Sequence, residues 1–227
     1  MIKAVIFDLD NTLLDFMRMK TMAIDAALNG MIEAGMEINR KIAREKIFDI
    51  YESKGWEYQE VLDDFIKEEV GRLDYKILAG GIVSYKKAKE AFLILYPNVR
   101  STLITLSKLG FKLGVVSDAP SREAWLRIYA VNLHHIFDSV VTFDDTGECK
   151  PSPKPFQKII SLLDVSPKSA LMIGDWPERD IIGAKKMGMK TAFARYGDVM
   201  RTRASGADFD IDNIKEIISI IKKENQA

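Results

Sequence analysis

The chain has 227 residues, 47% of them apolar, and sets 33 Lys and Arg against 33 Asp and Glu for a formal net charge of zero. That length admits one large α/β domain or a domain carrying an insertion, and the balanced charge argues against nucleic acid as a partner, which normally calls for a basic excess. The lone cysteine, Cys149, excludes an intramolecular disulfide and fits a reducing compartment; with no bilayer-length apolar run and no signal peptide legible after Met1-Ile2-Lys3, a cytoplasmic protein with no membrane partner is expected.

The first element is Ala4-Val5-Ile6-Phe7, short and rich in β-branched and aromatic side chains, hence a buried strand. It stops at Asp8-Leu9-Asp10-Asn11-Thr12. Residues 16–95 change character: Met, Ala, Glu, Lys, Leu and Ile recur at helical spacing, with glycines at 30, 35, 55, 71, 80 and 81 read as breaks. About four helices and no strand are expected there. Beyond Pro97 the period changes again. Residues 99–109 read as a helix closed by Gly110, 112–116 as a strand ending at Ser117, and 121–133 as a helix. Residues 140–143 read as a strand, 156–163 as a helix, and 170–173 as a strand ending at Gly174-Asp175. A helix over 181–187 stops at Gly188, a fifth strand covers 191–194, and a last helix over 214–223 takes Asp212 or Asn213 as N-cap. Strands alternating with helices imply a parallel sheet wrapped on both faces. The expected fold is α/β, with a three-layer, Rossmann-like core (residues 1–15 and 96–227) and an all-helical domain (16–95) inserted after the first strand.

Ligands of an open parallel sheet bind beyond the carboxyl ends of its strands. That rule gathers Asp8, Asp10, Ser117, Lys150 in Cys149-Lys150-Pro151-Ser152-Pro153, Asp175 and Asp180. Each also has a plain structural reading. Asp8 and Asp10 make a strand end and turn; Ser117-Asp118 is a helix N-cap region; Lys150 is a solvated loop cation; Asp175 and Asp180 are a turn and an acid at a helix N-terminus. His134, His135, Trp125 and Trp176 read as packing. As a set, however, they form an inventory. Asp8, Asp10 and Asp175 are hard oxygen donors suited to Mg²⁺, while Ser117 and Lys150 suit phosphoryl oxygens. A carboxylate held ionised near a cation can attack phosphorus, and a second can carry the proton for the leaving oxygen.

In that order and spacing the chain resembles the haloacid dehalogenase (HAD) superfamily of phosphohydrolases over nearly its whole length. Asp8-Leu9-Asp10-Asn11-Thr12 is similar to its first motif, Ser117 to its second, Lys150 to its third, and Gly174-Asp175 with Asp180 to its fourth. The helical tract resembles the family's cap of the type inserted after motif one. The resemblance implies a Mg²⁺-dependent phosphatase for a small phosphorylated metabolite of the sugar, triose or glycolate phosphate type. It implies an aspartyl-phosphate intermediate. A monomer or a homodimer is expected. By the same resemblance Asp8 is the nucleophile and a Mg²⁺ ligand, and Asp10 is the general acid and base, its backbone carbonyl on the metal. Ser117 and Lys150, with Asn11 and Thr12, hold the phosphate. Asp175 binds Mg²⁺, and Asp180 stands behind, orienting Lys150 or waters at the metal.

A phosphomutase shares these residues; a 2-haloacid dehalogenase needs neither Asp10 nor the metal set; a phospho-acceptor regulatory module would store phosphate on Asp8. Two residues depart from the pattern. Asp118 stands where Asn or Gly is usual, an unhelpful charge beside a dianion unless it points away. Arg179 stands where a small polar residue is usual, and a solvent-facing side chain is expected. In the helical tract Arg18, Lys20, Lys86, Lys87 and Lys89 are surface cations or contacts for an acidic substrate, on a lid hinged near residues 15–16 and 95–97.

Overall fold

The computed structural model describes residues 1–226. They divide into two compact units, residues 16–93 and the remainder.

The first of these is helical: α1 (Phe16–Glu33), α2 (Arg40–Lys54), α3 (Val61–Val70) and α4 (Tyr75–Phe92). Its core is built from Ile24, Leu28, Met31, Ile47, Tyr51, Phe65 and Ile66, all buried, each contributing roughly 1.5–3 kcal/mol of apolar burial. Gly35, Gly55 and Gly71 do end helices, in backbone conformations with positive φ. Gly30, Gly80 and Gly81 do not: they lie inside α1 and α4. A Cβ on Gly30 would stand 2.3 Å from the Gly80 carbonyl oxygen, so these glycines serve a close crossing of two helices and not a break. Lys20 is buried in this unit, donating to the Trp56 carbonyl at 2.8 Å with its ammonium 3.9 Å from the Tyr51 ring centre.

The other unit is the α/β core. Its strands are β1 (Ala4–Phe7), β2 (Lys112–Val116), β3 (Ser139–Val141), β4 (Ala170–Gly174), β5 (Lys190–Ala194) and β6 (Phe209–Ile211). They form one parallel sheet in the order β3-β2-β1-β4-β5-β6. Its helices are α5 (Val99–Lys108), α6 (Ser121–Ala130), α7 (Phe143–Thr146), α8 (Pro153–Leu163), α9 (Ile182–Lys186) and α10 (Glu216–Gln226). Every residue of β1 and β4 is buried, which is why both read as unbroken apolar runs and not as alternating ones. One face of the sheet packs Ile6, Val116 and Met172 against Phe156, Ile159 and Ala184 from α8 and α9.

The α/β expectation holds, with local differences. The sixth strand was not legible: it has three residues at a sheet edge, with Asp210 exposed in the middle. The strand expected over 140–143 ends at Val141, because Thr142 and Asp145 form a capping box that starts α7. Residues 177–181 take one wide helical turn before α9 begins.

Register brings the site together. Phe7 lies opposite Val115 on one side and Ile173 on the other. The chain travels outward from β1 through β2 to β3, then returns to β4 on the far side of β1. That reversal opens a crevice beyond the end of β1, where such sheets bind ligands.

Candidate active site

Asp8, Ser117 and Asp175 each follow the last residue of a strand, whereas Lys150 lies in the loop before α8 and Asp180 in the wide turn at 177–181. Asp8 N–H donates to the Ile173 carbonyl at 2.8 Å, continuing the β1–β4 ladder by one residue. The turn after it curls tightly: Leu13 N–H returns to the Leu9 carbonyl at 3.0 Å, and Asn11 sits at φ 61, a left-handed conformation Asn tolerates. Thr12 Oγ1 donates to Asp175 Oδ1 at 3.1 Å, tying this turn to the end of β4.

Lys150 is the hub. It is 4% exposed. Its ammonium donates to Asp8 Oδ1 at 2.5 Å and to the Val116 carbonyl at 3.0 Å, and stands 2.7 Å from Asp180 Oδ1. Asp180 is itself 1% exposed and accepts the Trp176 N–H at 3.0 Å. A Cβ on Gly174 would come within 2.2 Å of Asp180 Oδ2, so only glycine fits beside that carboxylate. Ser117 is buried at the end of β2, its hydroxyl oxygen accepting the Ala119 N–H at 3.2 Å.

The structure therefore brings Asp8, Asp175, Asp180, Lys150 and Thr12 together. Oxygens of Asp8, Asp175 and Asp180 lie within 4.8 Å of one another. The Asp10 carboxylate instead reaches Arg127, with Oδ2 2.5 Å from Nη1. Arg127 did not emerge from the motifs, although one signal was available. Ala124, Arg127 and Ile128 share the buried face of α6, and a cation at that spacing calls for a partner. Tyr196 and Gly197 were also unforeseen. The Tyr196 hydroxyl donates to the Thr12 carbonyl at 2.9 Å, and a Cβ on Gly197 would lie 1.6 Å from the Asn11 carbonyl oxygen.

The electrostatics test whether these residues suit a cation. Burial pushes the Asp8 carboxyl up to about 7 against the pull of Lys150, with Asp180 and Asp10 adding to the rise. Burial, then Asp8 and Asp180, hold Asp175 well above the usual carboxylate range. Burial also raises Asp180, opposed by Lys150. Burial disfavours the Lys150 charge, but Asp180, Asp8 and Asp118 outweigh it and keep the ammonium protonated. Three buried carboxylates thus converge on the single charge of Lys150; with all three ionised the group carries a net −2, the charge a divalent ion would balance. Hard oxygen donors in this arrangement fit one, and its charge would return Asp8 and Asp175 to the ionised form.

The family model described as haloacid dehalogenase-like hydrolase matches residues 5–194. A glyceraldehyde 3-phosphate phosphatase of Methanocaldococcus jannaschii is 32% identical over 225 residues, 98% of each chain. The protein of the same name from Pyrococcus furiosus is 30% identical over 227 residues, 99% of this chain and 95% of its own. The crystal structure of a HAD phosphatase from Thermococcus onnurineus superposes with a TM-score of 0.72 at 28% identity, over 97% of this chain and 98% of that one.

Proposed function

This chain belongs to the haloacid dehalogenase-like hydrolase family, and on that premise we propose that it is a Mg²⁺-dependent phosphatase hydrolysing a triose phosphate or a closely similar phosphorylated metabolite. The observation that carries the reading is the placement of Asp8. It directly follows β1, meets Lys150, and shares its oxygens' neighbourhood with Asp175 and Asp180. Full-length similarity to glyceraldehyde 3-phosphate phosphatases supports the triose class.

Asp8, Asp175 and the Asp10 carbonyl would hold the ion, which supplies positive charge for the phosphoryl oxygens and keeps the carboxylates ionised. Asp8 attacks phosphorus, forming the P–O bond of an aspartyl-phosphate as the bond to the leaving oxygen breaks. Asp10 gives that oxygen its proton, then takes one from the water that attacks the aspartyl-phosphate, which regenerates Asp8 and releases phosphate. Lys150, Ser117 and the turn at Asn11-Thr12 hold the equatorial oxygens, where charge stabilisation and in-line positioning dominate. Asp180 holds the Lys150 ammonium. The helical unit is the cap of this reading. The work is cytoplasmic, on a small molecule, by a monomer or homodimer; no helix among the described residues is long and apolar enough to cross a membrane.

The test is phosphate release from glyceraldehyde 3-phosphate with Mg²⁺, alongside a panel of phosphomonoesters. The expected result is kcat/KM of at least about 10⁴ M⁻¹s⁻¹ for the triose phosphate, abolished by EDTA and restored by Mg²⁺. No release from any member of the panel would overturn the proposal.

A further inference from the structure

Asp118 and Arg179 sit against each other. Asp118 follows Ser117, and its side chain is 16% exposed. One of its oxygens accepts the Lys150 backbone N–H at 2.8 Å, and the other accepts Arg179 Nη1 at 3.1 Å. The Arg179 guanidinium lies 3.9 Å from the Trp176 ring centre, and the Trp176 amide donates to Asp180 Oδ2 at 3.0 Å. The other Asp180 oxygen is 2.7 Å from the Lys150 ammonium. The path closes on itself. Lys150 is gripped at its amide by Asp118 and at its ammonium by Asp180, and the two grips are joined through Arg179 and Trp176.

Resting on the phosphatase reading above, we propose that Asp118 and Arg179 are a positioning pair for Lys150. Asp118 seats the backbone of the lysine, and Arg179 cancels the charge that Asp118 would otherwise turn on an incoming phosphoryl dianion. A carboxylate is a stronger acceptor for a backbone N–H than a neutral amide, so aspartate anchors the lysine loop well. It also adds a negative charge close to a site that must admit one. An arginine answers both needs: it pairs with the carboxylate and lies flat on the indole, which lysine does less well. A surface ion pair with no such role would contribute little and leave kinetics untouched.

The experiment is steady-state hydrolysis of p-nitrophenyl phosphate with Mg²⁺ by wild type, Arg179→Ala, Asp118→Asn/Arg179→Ala and Asp118→Ala. Arg179→Ala raises KM about tenfold with kcat little changed, the scale of one uncancelled like charge near the dianion. The double variant keeps an acceptor for the Lys150 amide without the charge, and returns KM to within about twofold of wild type. Asp118→Ala lowers kcat about tenfold through misplacement of Lys150, and adding Arg179→Ala does not recover it. A wild-type KM in Arg179→Ala, or a double variant no better than Arg179→Ala, overturns the proposal. If wild type releases no phosphate at all, it is the phosphatase reading that fails. The pair is then judged by amide hydrogen exchange over residues 148–152: faster exchange in Asp118→Ala supports the anchor, and unchanged exchange overturns it.

Discussion

Arg127 offers the sharpest structural perturbation. Its side chain is 3% exposed, and it holds the carboxylate of Asp10, whose side chain is 22% exposed. Removing one partner of a buried pair leaves the other charge without compensation, which costs about 3–5 kcal/mol when both are fully enclosed. Asp10 retains some access to water, so Arg127→Met should cost about 3 kcal/mol, at the low end of that range. For a chain of this size that is a fall of about 6–12 °C in Tm. The comparison that isolates the pair is a double-mutant cycle with Asp10→Asn, in which the amide no longer needs a cation. Thermal unfolding followed by circular dichroism should give an Asp10→Asn/Arg127→Met variant more stable than the sum of its parts, with a coupling of about 1.5 kcal/mol or more. Arg127→Lys, which keeps the charge and loses the fork, should fall between. Additive losses, or a single variant within about 1 °C of wild type, would refute the reasoning.

Gly197→Ala should be damaging beyond its size. The new methyl collides with the Asn11 carbonyl oxygen, so the turn bearing Asp8 and Asp10 must shift; kcat should fall about 100-fold, the cost of a misplacement near 1 Å, while circular dichroism shows a folded protein. Asp208 governs an acid-sensitive contact. Partial burial works against its charge, but hydrogen bonds from the Thr191 hydroxyl and amide, at 2.8 Å each, prevail and hold its carboxyl below the usual value of 3.8. A lowered folded-state value gives stability that is complete above 3.8 and drains as pH falls through the lowered value. Asp208→Ala should therefore lose about 1 kcal/mol at neutral pH, and its gap in Tm from wild type should narrow toward pH 3; a gap that widens on acidification counts against it.

The parts of the fold legible in the sequence are those written in local pattern. Residues 4–7 are apolar on both faces because β1 is walled by β2 and β4, and that shows as an unbroken run. The motif order placed Asp8 and Asp175 directly after strands and Lys150 and Asp180 in the segments that follow strands, and parallel register brings them to one end of the sheet. What stayed hidden depends on distant partners. Arg127 meets Asp10 across 117 positions; its place on the buried face of α6 calls for a partner, but nothing local says which. Gly30 and Gly80 look like helix breaks until two helices are seen to approach backbone to backbone. Asp118 and Arg179 each looked out of place because each was judged alone, and they pair 61 positions apart. The edge strand β6 has too few residues, with a charge in the middle, for periodicity to register.

The account rests on Asp8 as the group that attacks phosphorus. The most direct measurement is phosphate release by Asp8→Asn from glyceraldehyde 3-phosphate with Mg²⁺, at enzyme concentrations that give wild type many turnovers. The account predicts a loss of at least about 10³-fold in kcat, since a neutral amide cannot serve as the nucleophile. Turnover within tenfold of wild type would contradict it.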